Sequence, residues 1–263
     1  MAIFAPHKLL TGIMITDIGR GTGYLAKGFS YIRKPGLRRY VIFPLIINIL
    51  LFCSLIYFGY SQYSALIDWI MPNLPDFLSF LSWLLWLVFT PLILIIIFFT
   101  FTPIANIIAA PFNAIMSEKL EEMLTGQEVN SGVSLATIIK DSILSQLGKL
   151  LYIAIWSVGL LLITLIPVIG LLSPILWVVF GSWLLTLDYM DFPMGNHDLA
   201  FKRQKAIMKK HRGLALGFGG AIMVMTSIPV LNFLVMPMAT AGATVMWVER
   251  LRLSDATDID VAE

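Results

Sequence analysis

"LLYIAIWSVGLLLITLIPVIGLLSPILWVVFGSWLLTL", residues 150–187, runs for 38 positions without Asp, Glu, Lys or Arg. A bilayer core takes about 20 residues of apolar helix, so the run is close to two spans long. The piece "IPVIGLLSP" at 166–174 divides it near the middle with two prolines and a glycine. Each limb then has only about 16 or 17 residues, roughly 25 Å of helix. Two architectures fit that length: a thin transmembrane hairpin, or a re-entrant hairpin shielded at membrane depth by protein or lining a cavity.

Three other stretches lack those four residue types: 40–67, 77–117 and 213–248. The first fits one span. The second is twice as long as one span needs, so its helix is expected to tilt or to extend past the membrane surface; Pro91, Pro103 and Pro111 are candidate kinks. The last is divided by "IPVLNFLVMP" at 228–237, which matches the 166–174 piece closely enough to suggest a weak internal repeat. The chain is 58% hydrophobic and 13% charged, with a mean hydropathy of +0.86; soluble domains carry about 25% charged residues. The sequence therefore predicts an all-α integral membrane protein: two long transmembrane helices plus two Pro-broken helical hairpins.

Charge placement sets the expected orientation. Lys8, Arg20, Lys27, Arg33, Lys34, Arg38 and Arg39 face a single acid, Asp17, before the first run, whereas the loop 68–76 holds Asp68 and Asp76 and no base. The positive-inside rule puts the N-terminus in the cytoplasm and that loop outside. Lys202, Arg203, Lys205, Lys209, Lys210, Arg212, Arg250 and Arg252 then fall inside as well, in both architectures. The expected organisation is one membrane domain over 1–263. Within it, 1–39 is a basic interfacial segment, 118–149 a polar helical extension stopped by Gly126, and 254–263 a disordered acidic tail. Residues 1–39 do not have the form of a cleavable signal peptide.

The segment "KPGLRRYVIF" (34–43) carries the chemistry. Pro35 suits the first position of a helix, which would leave the amides of Gly36, Leu37 and Arg38 without intrahelical partners. Gly36 admits close approach to the backbone. Arg38 and Arg39 sit where the helix dipole disfavours cations by about 0.3–1 kcal/mol each; a bound dianion reverses that cost. Helix-start amides with a guanidinium form an oxyanion cradle. The same arginines would equally serve to bind lipid phosphates and fix orientation.

Other chemistries are poorly supported. His7, His197 and His211 are scattered away from metal-ligand spacing, Cys53 is the lone cysteine, and "GFGG" at 217–220 lacks the lysine and Ser/Thr of a phosphate loop. His197 reads as a surface residue. No ionisable Asp, Glu, Lys or Arg lies within an apolar run, so a coupling carboxylate must sit at an edge, with Glu118, Glu122 and Asp188 as candidates. Asn113, five residues before Glu118, is a candidate for the same path, while Asn48 and Asn232 read as helix-packing residues. Gly213, Gly217, Gly219, Gly220 and Ala215 permit close helix contact. No catalytic site, cofactor, metal site or nucleic-acid surface is expected.

"GFSYIRKPGLRRYVIFPLIINILLF" (28–52), "IANIIAAPFNAIMSEKLEEMLTG" (104–126), "YMDFPMGNHDLAFK" (189–202) and "IPVLNFLVMPMATAGATVMWVE" (228–249) resemble the CysZ-type sulfate permeases of bacteria, in order, over about 20–250. The resemblance implies inner-membrane sulfate uptake for cysteine synthesis, and a fold of two long membrane helices with two pairs of re-entrant helices in a homo-oligomer. It implies sulfate binding at Gly36, Leu37 and Arg38, with Arg39 adjacent, and an ion path touching Glu118 and Glu122. The function expected is channel-like or weakly coupled sulfate uptake, with sulfate and membrane lipid as partners. The alternative is a structural or scaffolding membrane protein whose arginines hold lipid phosphates; an enzyme acting on lipid is the weakest reading, since no nucleophile, base and metal can be assembled.

Overall fold

The computed structural model describes residues 6–70, 81–128 and 135–252. Asp76 and the acidic tail from Ser254 lie outside the described residues. Eight α-helices carry the described chain: α1 (Pro6–Ile32), α2 (Arg38–Ile70), α3 (Leu81–Thr125), α4 (Leu135–Thr164), α5 (Ser173–Gly195), α6 (Phe201–Lys210), α7 (Arg212–Thr226) and α8 (Pro229–Met246). A π-helical turn, Trp247–Leu251, continues α8. The described residues contain no strand. The all-α membrane class holds: Arg38–Trp69, Leu147–Thr164 and Ile169–Gly195 are long and apolar enough to cross a bilayer.

The chain divides into two compact units. One, Arg39–Phe112, pairs α2 with the first part of α3. The two run antiparallel: Phe52 meets Phe101 edge-on at 5.1 Å, Gly59 faces Ile97, and Tyr63 stacks on Phe89 at 6.3 Å. Leu50, Phe58, Ile96 and Phe99 point outward and stay more than half exposed, as lipid-facing side chains do. α3 passes Pro91, Pro103 and Pro111 without a break and ends at Gly126, whose φ of +70° is the left-handed stop expected there. The polar stretch after that stop, 135–149, belongs to α4.

The other unit, Met1–Arg38 and Asn113–Glu263, is built around the hairpin α7–α8. α1 is part of this core and packs across both limbs. The contacts are made at small residues. A Cβ on Gly217 would collide with the Ile18 backbone, one on Gly28 with the Met238 carbonyl, and one on Gly219 with the Ser182 carbonyl of α5. The small-residue stripe read in α7 is therefore a true helix-crossing surface. Thr186 Oγ1 donates to the Ala215 carbonyl at 2.5 Å and secures the α5–α7 crossing.

The two matching Pro pieces fold differently. Pro167 lies in a loop whose Val168 has φ +70° and ψ −54°, with Ile169 N–H donating to the Pro167 carbonyl at 2.8 Å. This is a γ-turn of the rare, strained hand. Gly170 is needed after it, because a Cβ there would press on the Thr164 carbonyl at 2.5 Å. Pro229 instead opens α8, and Asn232 N–H already donates to the Ile228 carbonyl at 2.9 Å. The Ile-Pro proline opens a helix only in the second piece; in the first it is Pro174, at the far end, that stands at the start of α5. The limbs also differ in length: α7 has 15 residues, against 23 for α5.

Gly217→Val forces the α1–α7 backbones apart and should lower stability by about 1–3 kcal/mol or more. Thermal melting in detergent would show this as a clear drop, whereas Gly23→Ala, at an α1 glycine with nothing within 4 Å of its Cβ position, should leave the melt nearly unchanged.

Candidate anion site and the buried acid of α3

α1 and α2 are joined by a tight turn. Leu37 N–H donates to the Lys34 carbonyl at 3.2 Å, with Pro35 and Gly36 between them and Gly36 at φ +94°. This is a type II turn, which favours proline second and requires a positive φ third. The glycine is there for its backbone conformation: nothing stands within 4 Å of where its Cβ would be. The helix consequently starts at Arg38, three residues later than proline-first reasoning places it. Leu37 is buried, its amide is taken by the turn, and its side chain anchors the loop. Among the described residues, the amides of Gly36 and Arg38 donate to no backbone carbonyl.

Arg38 folds back so that Nε donates to the Arg33 carbonyl at 2.5 Å. That bond fixes the guanidinium beside the turn and leaves its two terminal nitrogens outward. Arg39 donates from Nη2 to the Tyr40 hydroxyl at 2.9 Å. Both arginines are exposed, and among the described residues neither meets a carboxylate. Four other cations of the chain are matched: Arg20 with Asp17, Lys27 with Glu249 at 2.6 Å, Lys119 with Glu122 at 2.7 Å, and Lys149 with Asp188. The turn thus concentrates donors without acceptors. A charge cluster of that kind suits an anion carrying no proton.

The end of α3 holds the other sequence-predicted residues. Asn113 is buried, and Glu118 and Glu122 share a partly exposed face one turn apart. Glu122 is held by Lys119. The acid the sequence reading passed over is Glu121, fully buried with Met116, Ser117 and Leu120. Its Oε1 meets His197 Nε2 at 2.8 Å and Arg252 Nη1 at 3.5 Å, while Oε2 is buried without a partner. Arg252 also donates to Gln127 Oε1 at 3.1 Å, and the His197 ring lies 5.5 Å from Trp247. His197 is therefore partly buried and paired with a buried acid, where a surface position was expected. The signal was in the sequence: Asn113, Ser117 and Glu121 recur every fourth residue, one polar stripe on the inward face.

Among the described residues no hydrogen bond or ion pair joins the turn to Asn113, Glu118 or Glu122. α1 is tied to the C-terminal segment instead: Tyr24 donates to Glu249 at 3.0 Å beside the Lys27 bridge. Partial burial, with Glu249 adjacent, pushes the Tyr24 phenol up, so it remains a donor throughout the physiological range. Asn48 buries Oδ1 without a partner, Asn232 is exposed, and the Asn106 side chain lies outside the described residues.

Comparison with known proteins places this architecture. The family described as Sulfate transporter CysZ/Etoposide-induced protein 2.4 matches residues 24–237. The chain belongs to that family. A protein of Pseudomonas syringae pv. tomato named sulfate transporter CysZ is 42% identical over 242 residues, covering 91% of this chain and 95% of that one. A protein of the same name from Vibrio parahaemolyticus is 39% identical over 236 residues, 88% of this chain and 95% of its own length. The family match takes in the turn, the end of α3 and helices α4 to α7, and ends inside α8. These relatives carry transporter names, in keeping with a chain read as having no catalytic constellation.

Glu121→Ala leaves His197 and the buried edge of Arg252 unmatched and should cost about 1–3 kcal/mol. Glu122→Ala breaks an exposed pair three residues apart, worth under about 1 kcal/mol. Paired melting curves of the two variants should rank them in that order.

Proposed function

We propose that the chain carries sulfate into the bacterial cytoplasm across the inner membrane, channel-like or weakly coupled, supplying sulfur for cysteine synthesis. The observation that carries this is the type II turn at 34–37, where two exposed arginines without carboxylate partners stand beside unspent amides. The anion bears no proton at neutral pH and is served by donors alone. Gly36 supplies the turn, Leu37 anchors it, Arg38 contacts the anion through its outward nitrogens, and Arg39 adds charge. Asn113, Glu118 and Glu122 belong to the onward path at the inner end of α3. The N-terminus is cytoplasmic, and the protein works as a homo-oligomer.

The hairpin α7–α8 fits a re-entrant element. α7, 15 residues long, reaches only about 22 Å, short of the roughly 30 Å hydrocarbon core. Its glycine contacts keep it inside protein, which such a broken element requires.

Sulfate binding to the purified protein tests the site. Arg38→Ala removes charge-assisted hydrogen bonds and should weaken binding roughly 10- to 100-fold; unchanged affinity would refute it. Gly36→Ala strains the turn by about 1–2 kcal/mol and should weaken binding while α1–α8 stay folded by circular dichroism. Radiolabelled sulfate entering liposomes with and without a proton gradient separates passive from coupled entry. A protein that only holds lipid phosphates would pass no sulfate in either case.

A further inference from the structure

An open apolar groove of about 620 Å³ lies between α1 and α7, with Met238 of α8 at one side, within the roughly 300–1,000 Å³ range of ligand-sized clefts. Ile18, Thr22, Ala26 and Phe29 form the α1 wall, and Ala221 and Val224 stand on the opposite wall. The two helices touch where Gly217 meets Ile18, so the groove opens from that crossing toward the apolar end of α7. Val224 there is 66% exposed, and Ile228 just beyond is 44% exposed.

The other end of the α1 wall is cationic. The Arg33 guanidinium lies 4.4 Å from the centroid of Phe29, itself a wall residue, and Lys34 Nζ lies 4.0 Å from the Tyr31 ring. Among the described residues neither cation meets a carboxylate. Stacking on the wall residue Phe29 holds the Arg33 charge beside the groove without neutralising it, and Lys34 is its neighbour in the chain.

We propose that this groove is a binding site for an anionic phospholipid, with one acyl chain between α1 and α7 and the headgroup phosphate at Arg33 and Lys34. Apolar walls leading to a lip of two unmatched cations have the polarity sequence of such a lipid read from tail to head. A second copy of the chain is a poor occupant, because it would bring the same two cations to the lip. The groove is lined by α1 and α7 rather than by the turn glycine or the arginines at 38 and 39, but its headgroup cations Arg33 and Lys34 follow α1 and adjoin the turn.

The test uses the full chain in nanodiscs, with phosphatidylglycerol or phosphatidylcholine carrying a photoreactive group in an identical acyl chain. Phosphatidylglycerol should label peptides from 18–29 and 216–225 and outcompete phosphatidylcholine, by about fivefold for each cation engaged. Arg33→Gln with Lys34→Gln should bring that preference close to one. Ala221→Trp should abolish labelling of the groove by both lipids; if that variant does not fold, Thr22→Trp fills the same space from the α1 side. Three results would overturn the site: labels falling outside the groove, a preference that survives the double glutamine change, or a filled groove that dissociates oligomers while labelling persists.

Discussion

Close approach of helix backbones at glycine is the contact on which the unit built around α7 and α8 rests. In hydrocarbon, apolar side chains gain little by meeting each other rather than lipid, so helices associate through tight packing and interhelical hydrogen bonds. α7 meets α1 at Gly217 and α5 at Gly219, and α8 meets α1 at Gly28 and Gly242. At each point another helix's backbone fills the space a Cβ would take. These crossings hold α1 rigidly against the hairpin. A rigid α1 matters because its last residue lies two positions before the lysine that opens the turn. The position of Arg38, held to the Arg33 carbonyl, is therefore inherited from packing many residues earlier.

The turn converts that rigidity into electrostatics. A helix start already carries partial positive charge, and adding guanidinium groups there is unfavourable in isolation. The cost is tolerated when an anion is present and when water or headgroups screen the charges in its absence. Exposure is thus part of the design: a buried cluster of unmatched cations would meet a much larger desolvation penalty. The Arg38 Nε bond to the Arg33 carbonyl restricts the side chain, and a side chain already restricted loses less entropy in any contact it makes.

The long charge-free runs made the helical membrane class readable, because no other sequence pattern supports four such stretches. Gly126 as a stop and the α7 glycines as a packing stripe followed from local rules and hold in the structure. Two features escaped. Pro35 satisfies both a helix-start rule and a turn rule, and the positive φ of Gly36 decides for the turn; that choice depends on how α1 and α2 must be joined. Glu121 escaped because attention fell on carboxylates at the edges of apolar runs, where Glu118 and Glu122 look equally placed. A helix shows which of three neighbouring acids faces inward only once its buried side is known. For α3 that side is set by Met116, Ser117 and Leu120. The role of α1 was hidden for the same reason: its glycines have meaning only against the helix that crosses them.

The charges of the chain fall into two regimes. At the turn, Arg38 and Arg39 are exposed and, among the described residues, meet no carboxylate. At the C-terminal end of α3, Glu121 is enclosed and shared between His197 and Arg252, with Trp247 beside them. A permanently matched acid is a weak binder of passing anions, and its negative charge would repel them. Its value is structural: it ties α3 to the loop after α5 and to the segment after α8, elements distant in sequence. The π-helical turn at Trp247–Leu251 shifts the register between α8 and Arg252, as such bulges do where a side chain must be re-aimed. Exposed cations at the turn and an enclosed acid that holds helix ends together are thus separate sets of charges, because one set cannot be both open to solvent and locked.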